Sequence, residues 1–331
     1  MINRMLAAAL QMNSQPDLDH NMDHCYRLVK EATSRGAQLV GLPENFAFLG
    51  DEREKHRLAG PISRAVYESL PDWSRAFGIY LMAGGFPVRA ESGKVYNTAM
   101  MLDPDGQTIA LYNKIHLFDV AISEDESYRE SELVEAGKPE VTICDIRQDS
   151  SHPGDRPQPG DRSHFFDNPQ PGDKSQTGAG SHTNPATDNP PWQIKATHGN
   201  QPVTGHGKEG FRVGLSICYD IRFPELYRAL AAEGCDIICV PAAFTRPTGE
   251  AHWETLLRAR AIENSAYVLA PAQTGTHGEK RKTYGHSMII DPWGRVLADA
   301  GTDPGIITAE IDTAKLDDIR KKLPSLTHRV I

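Results

Sequence analysis

The chain has 331 residues, enough for one large domain or two of ordinary size, and it carries a formal net charge of −9 at pH 7. This excess of acidic residues argues against a nucleic-acid partner, because a protein that binds nucleic acid requires a basic face. No apolar run approaches the ~20 residues of a membrane helix, so we expect no membrane span. Five cysteines without framework spacing indicate reduced thiols and a cytoplasmic setting.

The first part of the chain, up to residue 146, predicts strands and helices in alternation. Apolar residues at helical spacing predict helices over residues 17–35 and 62–77, and Pro71 predicts that the second helix is either kinked or divided in two. Short apolar runs predict strands in the N-terminal segment and at residues 39–42, 79–84, 95–102, 107–112 and 141–146. The turn Asp103-Pro-Asp-Gly106 should close a hairpin that leads into Lys114.

The composition changes abruptly between residues 148 and 207. This stretch is rich in Pro and Gly and repeats Pro-Gly-Asp at positions 153, 159 and 171. Few of its residues could fill a core, so it predicts a disordered insertion within a single domain that spans residues 1–331. Its histidines are widely and irregularly spaced, which is not the pattern of a metal site.

The ordered pattern resumes at residue 211 and again alternates strands with helices. The predicted strands are residues 211–217, 236–240, 267–270, 286–291, 295–298 and 306–311, and the predicted helices are residues 222–233, 252–264 and 313–322. Hairpins mixed with helical crossovers indicate an α/β layered domain whose strands run in both directions.

Cys218 lies where a predicted strand gives way to a helix, because Pro224 suits the first helical turn. A thiol at such a turn lies close to backbone N–H groups and a helix N-terminus, which favour the thiolate. The alternative is a small core residue, since free cysteines are often buried. That core interpretation is preferred for the other four cysteines, which are Cys25, Cys144, Cys235 and Cys239.

Three further polar residues stand at or just beyond the ends of predicted strands, namely Glu44, Lys114 and Glu130. A thiol that attacks an acyl group needs a carboxylate to accept its proton, and positive charge or N–H donors to stabilise the oxyanion. Taken singly, each residue has an ordinary alternative. Glu44 could cap a helix, Lys114 could be a solvated surface charge, and Glu130 could be an exposed loop residue.

Three sequence blocks around these residues resemble those of a known family. The blocks are Leu42-Pro-Glu-Asn-Phe46, Tyr112-Asn-Lys-Ile-His-Leu-Phe-Asp119 and Gly214-Leu-Ser-Ile-Cys-Tyr-Asp-Ile-Arg-Phe-Pro-Glu-Leu-Tyr-Arg228. They are similar to the Glu, Lys and Cys blocks of the nitrilase superfamily, the carbon-nitrogen hydrolases. Residues 248–253, 258–264 and 284–294 resemble the Nit branch of that superfamily. The resemblance covers the chain apart from about residues 148–207.

The resemblance implies a fold and a set of catalytic roles. The fold is α/β, a four-layer α-β-β-α sandwich with mixed sheets, usually paired as a homodimer or larger homo-oligomer. Glu44 would be the general base, Cys218 the nucleophile, and Lys114 would hold the oxyanion. Glu130 would be the second glutamate that supports the lysine and the substrate amide, although a shifted alignment would put Glu126 or Glu132 in that place.

The resemblance also suggests residues that contact the substrate. The backbone N–H of Tyr219 would assist at the oxyanion, and Phe244 and Thr245 lie where the family builds part of its pocket wall. Arg222 could fix the shape of the turn or bind a substrate carboxylate bidentately.

The implied chemistry has two steps and uses no metal or organic cofactor. The thiol attacks an amide carbonyl, ammonia leaves, and water hydrolyses the resulting thioester. The ammonium of the nearby lysine should lower the pKa of the thiol, because an opposite charge favours the ionised form.

The substrate expected from the resemblance is a small-molecule amide. Residues 258–264 and 272–277 are closer to Nit-branch members that act on deaminated glutathione than to members that act on 2-oxoglutaramate. We therefore expect an amidase that hydrolyses the terminal carboxamide of a small carboxylic-acid amide, with deaminated glutathione as the first candidate. A nitrilase would use the same residues through a thioimidate.

Two alternatives belong to other classes of protein. A catalytically silent scaffold could use the insertion as its binding segment, and its Cys218 would react with iodoacetamide no faster than an ordinary thiol. A metal-dependent amidohydrolase would lose its activity in the presence of chelators.

Overall fold

The computed structural model describes residues 4–121, 127–147, 210–279 and 281–330. The helices of these residues are α1 (Leu18–Ser34), α2 (Glu52–Arg57), α3 (Ala59–Phe77), α4 (Pro224–Ala232), α5 (Arg246–Asn264) and α6 (Thr313–Lys322). The strands of the first half are β1 (Arg4–Gln11), β2 (Leu39–Gly41), β3 (Tyr80–Arg89), β4 (Val95–Leu102), β5 (Thr108–Asn113), β6 (Asp119–Ala121), β7 (Ser127–Arg129) and β8 (Ile143–Ile146). The strands of the second half are β9 (Phe211–Leu215), β10 (Ile237–Cys239), β11 (Tyr267–Ala270), β12 (Thr274–His277), β13 (Arg281–Tyr284), β14 (Met288–Ile290), β15 (Val296–Asp299) and β16 (Gly305–Asp312).

Two six-stranded mixed sheets form the centre of the molecule. The first sheet has the order β16-β1-β2-β3-β4-β5, and the second has the order β15-β14-β11-β10-β9-β8. Strands β1, β2 and β3 are parallel to one another, as are β9, β10 and β11, and the outer strands of each sheet are antiparallel. Two short ribbons, β6–β7 and β12–β13, lie outside the sheets.

The alternation of side chains along the strands produces three apolar layers, because successive residues of a strand point to opposite faces. In β1, Ala8 and Leu10 join the core against α1 and α3, whereas Ala7 and Ala9 join the core between the two sheets. The second sheet packs its outer face against α4 and α5. The four-layer α-β-β-α sandwich implied by the resemblance is therefore confirmed.

Close contact between α4 and the second sheet depends on a glycine in β9. A Cβ atom added to Gly214 would lie 2.9 Å from Leu230 Cδ2 and 2.8 Å from Cys235 Sγ. A larger residue would push the helix away from the strand that leads into Cys218.

Several elements differ from the sequence predictions. Pro71 lies inside one helix, α3, so of the two alternatives the division into two helices is wrong. Helix α5 begins six residues earlier than expected, because Pro247 is accommodated in the first turn. The sequence did not predict α2 or the strands of the two ribbons, because these segments are short and polar and show no apolar periodicity.

The predicted insertion, residues 148–207, lies outside the described residues, but the strands on either side of it pair directly. Strands β8 and β9 are antiparallel, and Ile146 lies opposite Phe211. The two points where the chain leaves and re-enters the sheet are therefore neighbours at its edge. Among the described residues, no helix is long and apolar enough to span a membrane.

Candidate active site

Glu44, Lys114, Glu130 and Cys218 line one cavity of ≈ 370 Å³. Glu44 follows the parallel strand β2, Cys218 follows the parallel strand β9, and Lys114 follows β5 directly. Strands β2 and β5 belong to the first sheet and β9 to the second, so strand ends from both sheets meet at this cavity. In α/β proteins the carboxyl ends of the strands commonly hold the functional site. The four residues predicted to be catalytic thus lie together, although they are far apart in the chain.

Cys218 occupies a strained turn between β9 and α4. Its φ angle is 47°, in the left-handed region that non-glycine residues rarely adopt. The Cys218 N–H donates to the Pro241 carbonyl at 2.9 Å, and the Ile217 N–H donates to Asp220 Oδ2 at 2.8 Å. These hydrogen bonds fix the turn and present the thiol at the end of the strand.

Lys114 is held between two carboxylates. Its Nζ atom lies 3.3 Å from Glu44 Oε1 and 2.9 Å from Glu130 Oε2. Glu44 is 3% exposed and Lys114 is 2% exposed. Glu130 also accepts from the Phe118 N–H at 2.6 Å, which fixes its carboxylate on the lysine. Glu132, the alternative second glutamate, also lines the cavity but is exposed, and Glu126 lies outside the described residues.

The charges of this buried group favour a carboxylate at Glu44 and an ammonium at Lys114. Burial alone would raise the pKa of Glu44, but the Lys114 ammonium and a hydrogen bond from the Cys218 thiol together lower the pKa below its ordinary value. Burial alone would lower the pKa of Lys114, but Glu130 and Glu44 raise it well above its ordinary value. Glu44 is therefore ready to accept a proton at neutral pH.

The thiol behaves differently from the sequence prediction. We expected the lysine to lower the pKa of Cys218. Lys114 does act in that direction, but burial and the negative charge of Glu44 outweigh it and raise the pKa well above its ordinary value. The resting group is a protonated thiol that donates to a carboxylate. The arrangement can therefore form the nucleophile by moving the proton to Glu44 as the sulfur attacks.

Asn97 is a site residue that the sequence interpretation missed. Its Nδ2 atom donates to Glu44 Oε1 at 2.9 Å and to Glu130 Oε1 at 3.3 Å, and its backbone carbonyl accepts from the Lys114 N–H at 2.9 Å. Its Oδ1 atom is buried and has no hydrogen-bond partner in the described part of the chain. A single residue of β4 thus contacts three members of the group. An Asn within an apolar strand gives no sequence signal for this role.

Asp220 connects the cysteine turn to the lysine segment. It is fully buried and accepts from the Tyr112 hydroxyl at 2.7 Å, while its Oδ1 atom lies 2.8 Å from His116 Nδ1. The His116 ring stacks on Phe223 with 3.7 Å between ring centroids. These contacts hold the Lys114 segment against the Cys218 turn and agree with a structural role for His116.

The residues predicted to contact the substrate divide into two groups. Tyr219, Phe244 and Thr245 line the cavity, whereas Arg222 is not among the lining residues in the described part of the chain. Its guanidinium lies over the Phe244 ring, 5.1 Å from the centroid, and over the Tyr219 ring at 5.7 Å. Arg222 therefore packs against the aromatic wall.

Two cations that the sequence interpretation did not select, Lys55 and Arg281, also line the cavity. They come from α2 and from the β12–β13 ribbon. The ribbon is joined to the cavity wall, because the Tyr284 N–H donates to the Phe244 carbonyl at 3.0 Å.

Known proteins are similar to this chain in sequence and in fold. The sequence pattern of the family described as Carbon-nitrogen hydrolase matches residues 6–321. The chain is 44% identical over 327 residues to a deaminated glutathione amidase from Synechocystis sp., and the match covers 98% of each chain. It is 36% identical over 329 residues to the deaminated glutathione amidase of Homo sapiens, covering 98% of this chain and 82% of that one.

A solved structure agrees with these sequence matches. The crystal structure of the C. elegans NitFhit protein matches with a TM-score of 0.74 and 33% sequence identity, covering 99% of this chain and 65% of that one. The family pattern extends over most of the chain, and the protein is a hydrolase that acts on carbon–nitrogen bonds other than peptide bonds. The chain belongs to the carbon-nitrogen hydrolase family, the superfamily that its Glu, Lys and Cys blocks resemble.

Proposed function

We propose that Cys218 is the nucleophile of an amidase reaction and that Glu44 is its general base. As the sulfur bonds to the amide carbonyl carbon, the thiol proton passes to Glu44 and the carbonyl oxygen becomes an oxyanion. The ammonium of Lys114 and the backbone N–H of Tyr219 stabilise that charge. The C–N bond then breaks, Glu44 returns the proton to the leaving nitrogen, and a thioester remains on Cys218.

The second half of the reaction removes the acyl group from Cys218. Water loses a proton to Glu44 as it attacks the thioester carbonyl, and the C–S bond breaks to release the carboxylic acid. The proton on Glu44 then restores the thiol of Cys218. Glu130 keeps Lys114 charged and in place through both steps, and no cofactor is needed for the balance of atoms or electrons.

We propose deaminated glutathione as the substrate, because two relatives that match along nearly the whole chain carry that name. The expected terminal carboxamide, with ammonia as the leaving group, does not fit this substrate. Glutathione joins the side-chain carboxyl of its glutamyl group to the amine of cysteine, and it contains no primary carboxamide. A hydrolase of bonds other than peptide bonds would cut this side-chain-linked amide. The leaving group is then the amine of Cys-Gly, whereas an amide such as 2-oxoglutaramate would release ammonia.

The observation that carries the proposal is the hydrogen-bonded group of Glu44, Lys114 and Cys218 in one cavity. The test is to incubate the full-length protein with deaminated glutathione and to measure the free acid and Cys-Gly by mass spectrometry. We expect Cys218→Ala to lower kcat by about a thousandfold or more. Cys144→Ala, a buried cysteine outside the cavity, should keep activity. Equal or better turnover of 2-oxoglutaramate would overturn the choice of substrate.

Rapid labelling of Cys218 separates this enzyme from a silent scaffold. Iodoacetamide should modify Cys218 faster than an ordinary exposed thiol, because Glu44 accepts the proton during attack. Labelling no faster than that of a model thiol, together with no amide turnover, would support the scaffold.

The cellular setting and the oligomeric state are also proposals. All five cysteines are free, which supports a reducing compartment such as the cytoplasm. A homodimer or larger homo-oligomer is expected from the family resemblance, and light scattering of the purified protein tests it.

A further inference from the structure

The cavity contains a second charged group beside the catalytic one, formed by Glu52, Lys55 and Arg281. Lys55 Nζ lies 2.7 Å from Glu52 Oε2, and Arg281 Nη1 lies 2.8 Å from Glu52 Oε1. Two cations thus share one carboxylate. The group therefore carries one net positive charge, whereas Lys114 with its two glutamates carries one net negative charge.

The remaining charged side chains of the cavity do not change this separation. Asp51 and Glu132 balance Arg53 and Arg129 among the lining residues. The cavity is therefore negative around the thiol and positive around Glu52. A neutral amide group suits the first end, and an anionic group suits the second.

The two cations of the positive end are largely withdrawn from water, whereas the side chain of Glu52 is 40% exposed. Lys55 is 7% exposed, and the side chain of Arg281 is 18% exposed. The Nε atom of Arg281 is buried and has no hydrogen-bond partner in the described part of the chain. A buried charge that is only partly compensated is costly, so this arrangement favours an additional anion.

The two cations are also placed close to the reacting group. Lys55 donates to Asn45 Oδ1 at 3.1 Å, and Asn45 follows Glu44 directly in the chain. Arg281 comes from a different element, the β12–β13 ribbon, and although burial alone would lower its pKa, the carboxylates of Glu52 and Glu44 raise that pKa above its ordinary value. The cations therefore approach the same volume from two separate elements.

We propose that Arg281 and Lys55 bind a carboxylate of the substrate, so that the enzyme selects amides of acids over neutral amides of the same size. This inference rests on the proposed attack of Cys218 on an amide in this cavity. Arg281 offers a planar pair of donors that matches a carboxylate, and Lys55 adds a point charge. Glu52 holds both cations in position and partly neutralises their positive charge.

The test measures binding to full-length Cys218→Ala by calorimetry, so that it does not depend on turnover. The two probes are glutaramate, the monoamide of glutaric acid, and its methyl ester, which has the same amide but no charge. We expect glutaramate to bind about 10-fold or more tightly than the ester, as a charge-assisted hydrogen bond predicts. Equal affinities, or no binding of either probe, would overturn the inference.

Substitutions separate an electrostatic role from a structural one. In the Cys218→Ala background, Arg281→Gln should reduce the preference for the acid about 10- to 100-fold, whereas Arg281→Lys should retain much of it. Glu52→Gln should act in the opposite direction and increase the preference, because it removes the negative charge that the two cations share. Arg27→Gln, which removes an exposed cation of α1, is the control and should keep the original preference.

The possible outcomes distinguish this inference from the proposed function. If Arg281→Gln and Glu52→Gln both reduce the preference, the group is only structural and the inference fails. If the variants move the preference in opposite directions, the inference stands even when deaminated glutathione is not hydrolysed. A failure to hydrolyse deaminated glutathione would count against the proposed substrate alone.

Discussion

At the scale of single residues, the location of one proton decides how the site works. Glu44 has a lowered pKa and Cys218 has a raised pKa, so the proton rests on sulfur while the carboxylate waits beside it. An isolated cysteine of ordinary pKa would instead react through its small thiolate fraction. In the proposed mechanism, Cys218 thus needs Glu44 as a proton acceptor more than it needs to be an acidic thiol.

Glu44→Gln should separate thiol acidity from activity. We expect kcat/KM to fall about 10²- to 10⁴-fold, because the proton acceptor is lost. The pKa of Cys218 should fall at the same time, because Glu44 raises it and Lys114 remains. The pH dependence of iodoacetamide labelling, followed by mass spectrometry, measures that pKa. An unchanged or higher thiol pKa in the variant would contradict this account.

The pH profile of the wild-type enzyme follows from the same two shifts. Activity should persist as the pH falls to the ordinary pKa of a glutamate. The pKa of Glu44 is lower than that value, so its carboxylate is still ionised there. Activity should not rise between pH 8 and 9, the range in which ordinary thiols ionise. A steep rise there, measured as kcat/KM, would show that the reacting species is a free thiolate.

Asn97 gives a second prediction at this scale. Asn97→Asp would place a third carboxylate beside Glu44 and Glu130, and like-charge repulsion should raise the pKa of Glu44. We expect the acid limb of the kcat/KM profile to move to higher pH and activity at pH 7 to fall by about tenfold or more. Asn97→Ala, which removes the donor without adding charge, should lower activity and move that limb upward by less, because the Asn97 amide is the smallest of the contributions that lower the pKa of Glu44. An identical pH profile in both variants would contradict the prediction.

At the scale of elements, the site depends on contacts between segments that belong to different sheets. Tyr112 lies one residue before the end of β5 in the first sheet, and Asp220 lies in the turn after β9 of the second. Their hydrogen bond, with the contact from His116, fixes the distance between the lysine segment and the cysteine. A shift of one sheet relative to the other would separate the catalytic groups.

Tyr112→Phe should therefore destabilise the protein. Removal of the hydroxyl leaves a fully buried carboxylate with one donor fewer, which costs about 1–3 kcal/mol of unfolding free energy. Tyr96→Phe is the matched control, because its hydroxyl donates to Glu135 nearer the surface. Its cost should stay within about 0.5 kcal/mol. Equal losses in urea denaturation would show that the link between the sheets is unimportant.

The sequence predicted the elements with strong periodicity and missed those without it. Strand β11 has the predicted bounds, and the hairpin at Asp103–Gly106 forms because Gly106 adopts a φ of 75°. Helix α2 is a charged segment of six residues, and the β12–β13 ribbon is mostly polar, so neither shows an apolar face. These are the two elements that supply Lys55 and Arg281. The sequence therefore indicated the blocks that bring Glu44, Lys114 and Cys218 to one cavity, but not the second charged group.

At the scale of the whole molecule, pattern alone gave an α/β layered domain, and the family resemblance gave the number of layers. Two stacked sheets cannot be inferred from local periodicity, because the pairing of β1 with β16 joins residues about 300 positions apart. The same limit applies to Asn97, whose role arises from its hydrogen bonds to Glu44, 53 residues away, and to Glu130, 33 residues away. Both features depend on contacts between distant parts of the chain.

Deletion of residues 148–207 should leave the fold and the chemistry intact. Strands β8 and β9 already pair at Ile146 and Phe211, so a short turn can join them. The seven residue-to-residue steps from Phe211 to Cys218 place this junction roughly 20 Å from the thiol. We expect kcat/KM to stay within about twofold of the wild-type value, and a small effect on unfolding, since loop length affects closure entropy only logarithmically. A variant that folds normally but has lost turnover would show that the insertion takes part in the reaction.

The adjacent ends of β8 and β9 have a practical consequence. A guest domain whose own termini lie close together could be grafted at this edge, for example a fluorescent reporter, without forcing the host strands apart. The enzyme would then carry its own optical label at a distance from the reacting sulfur.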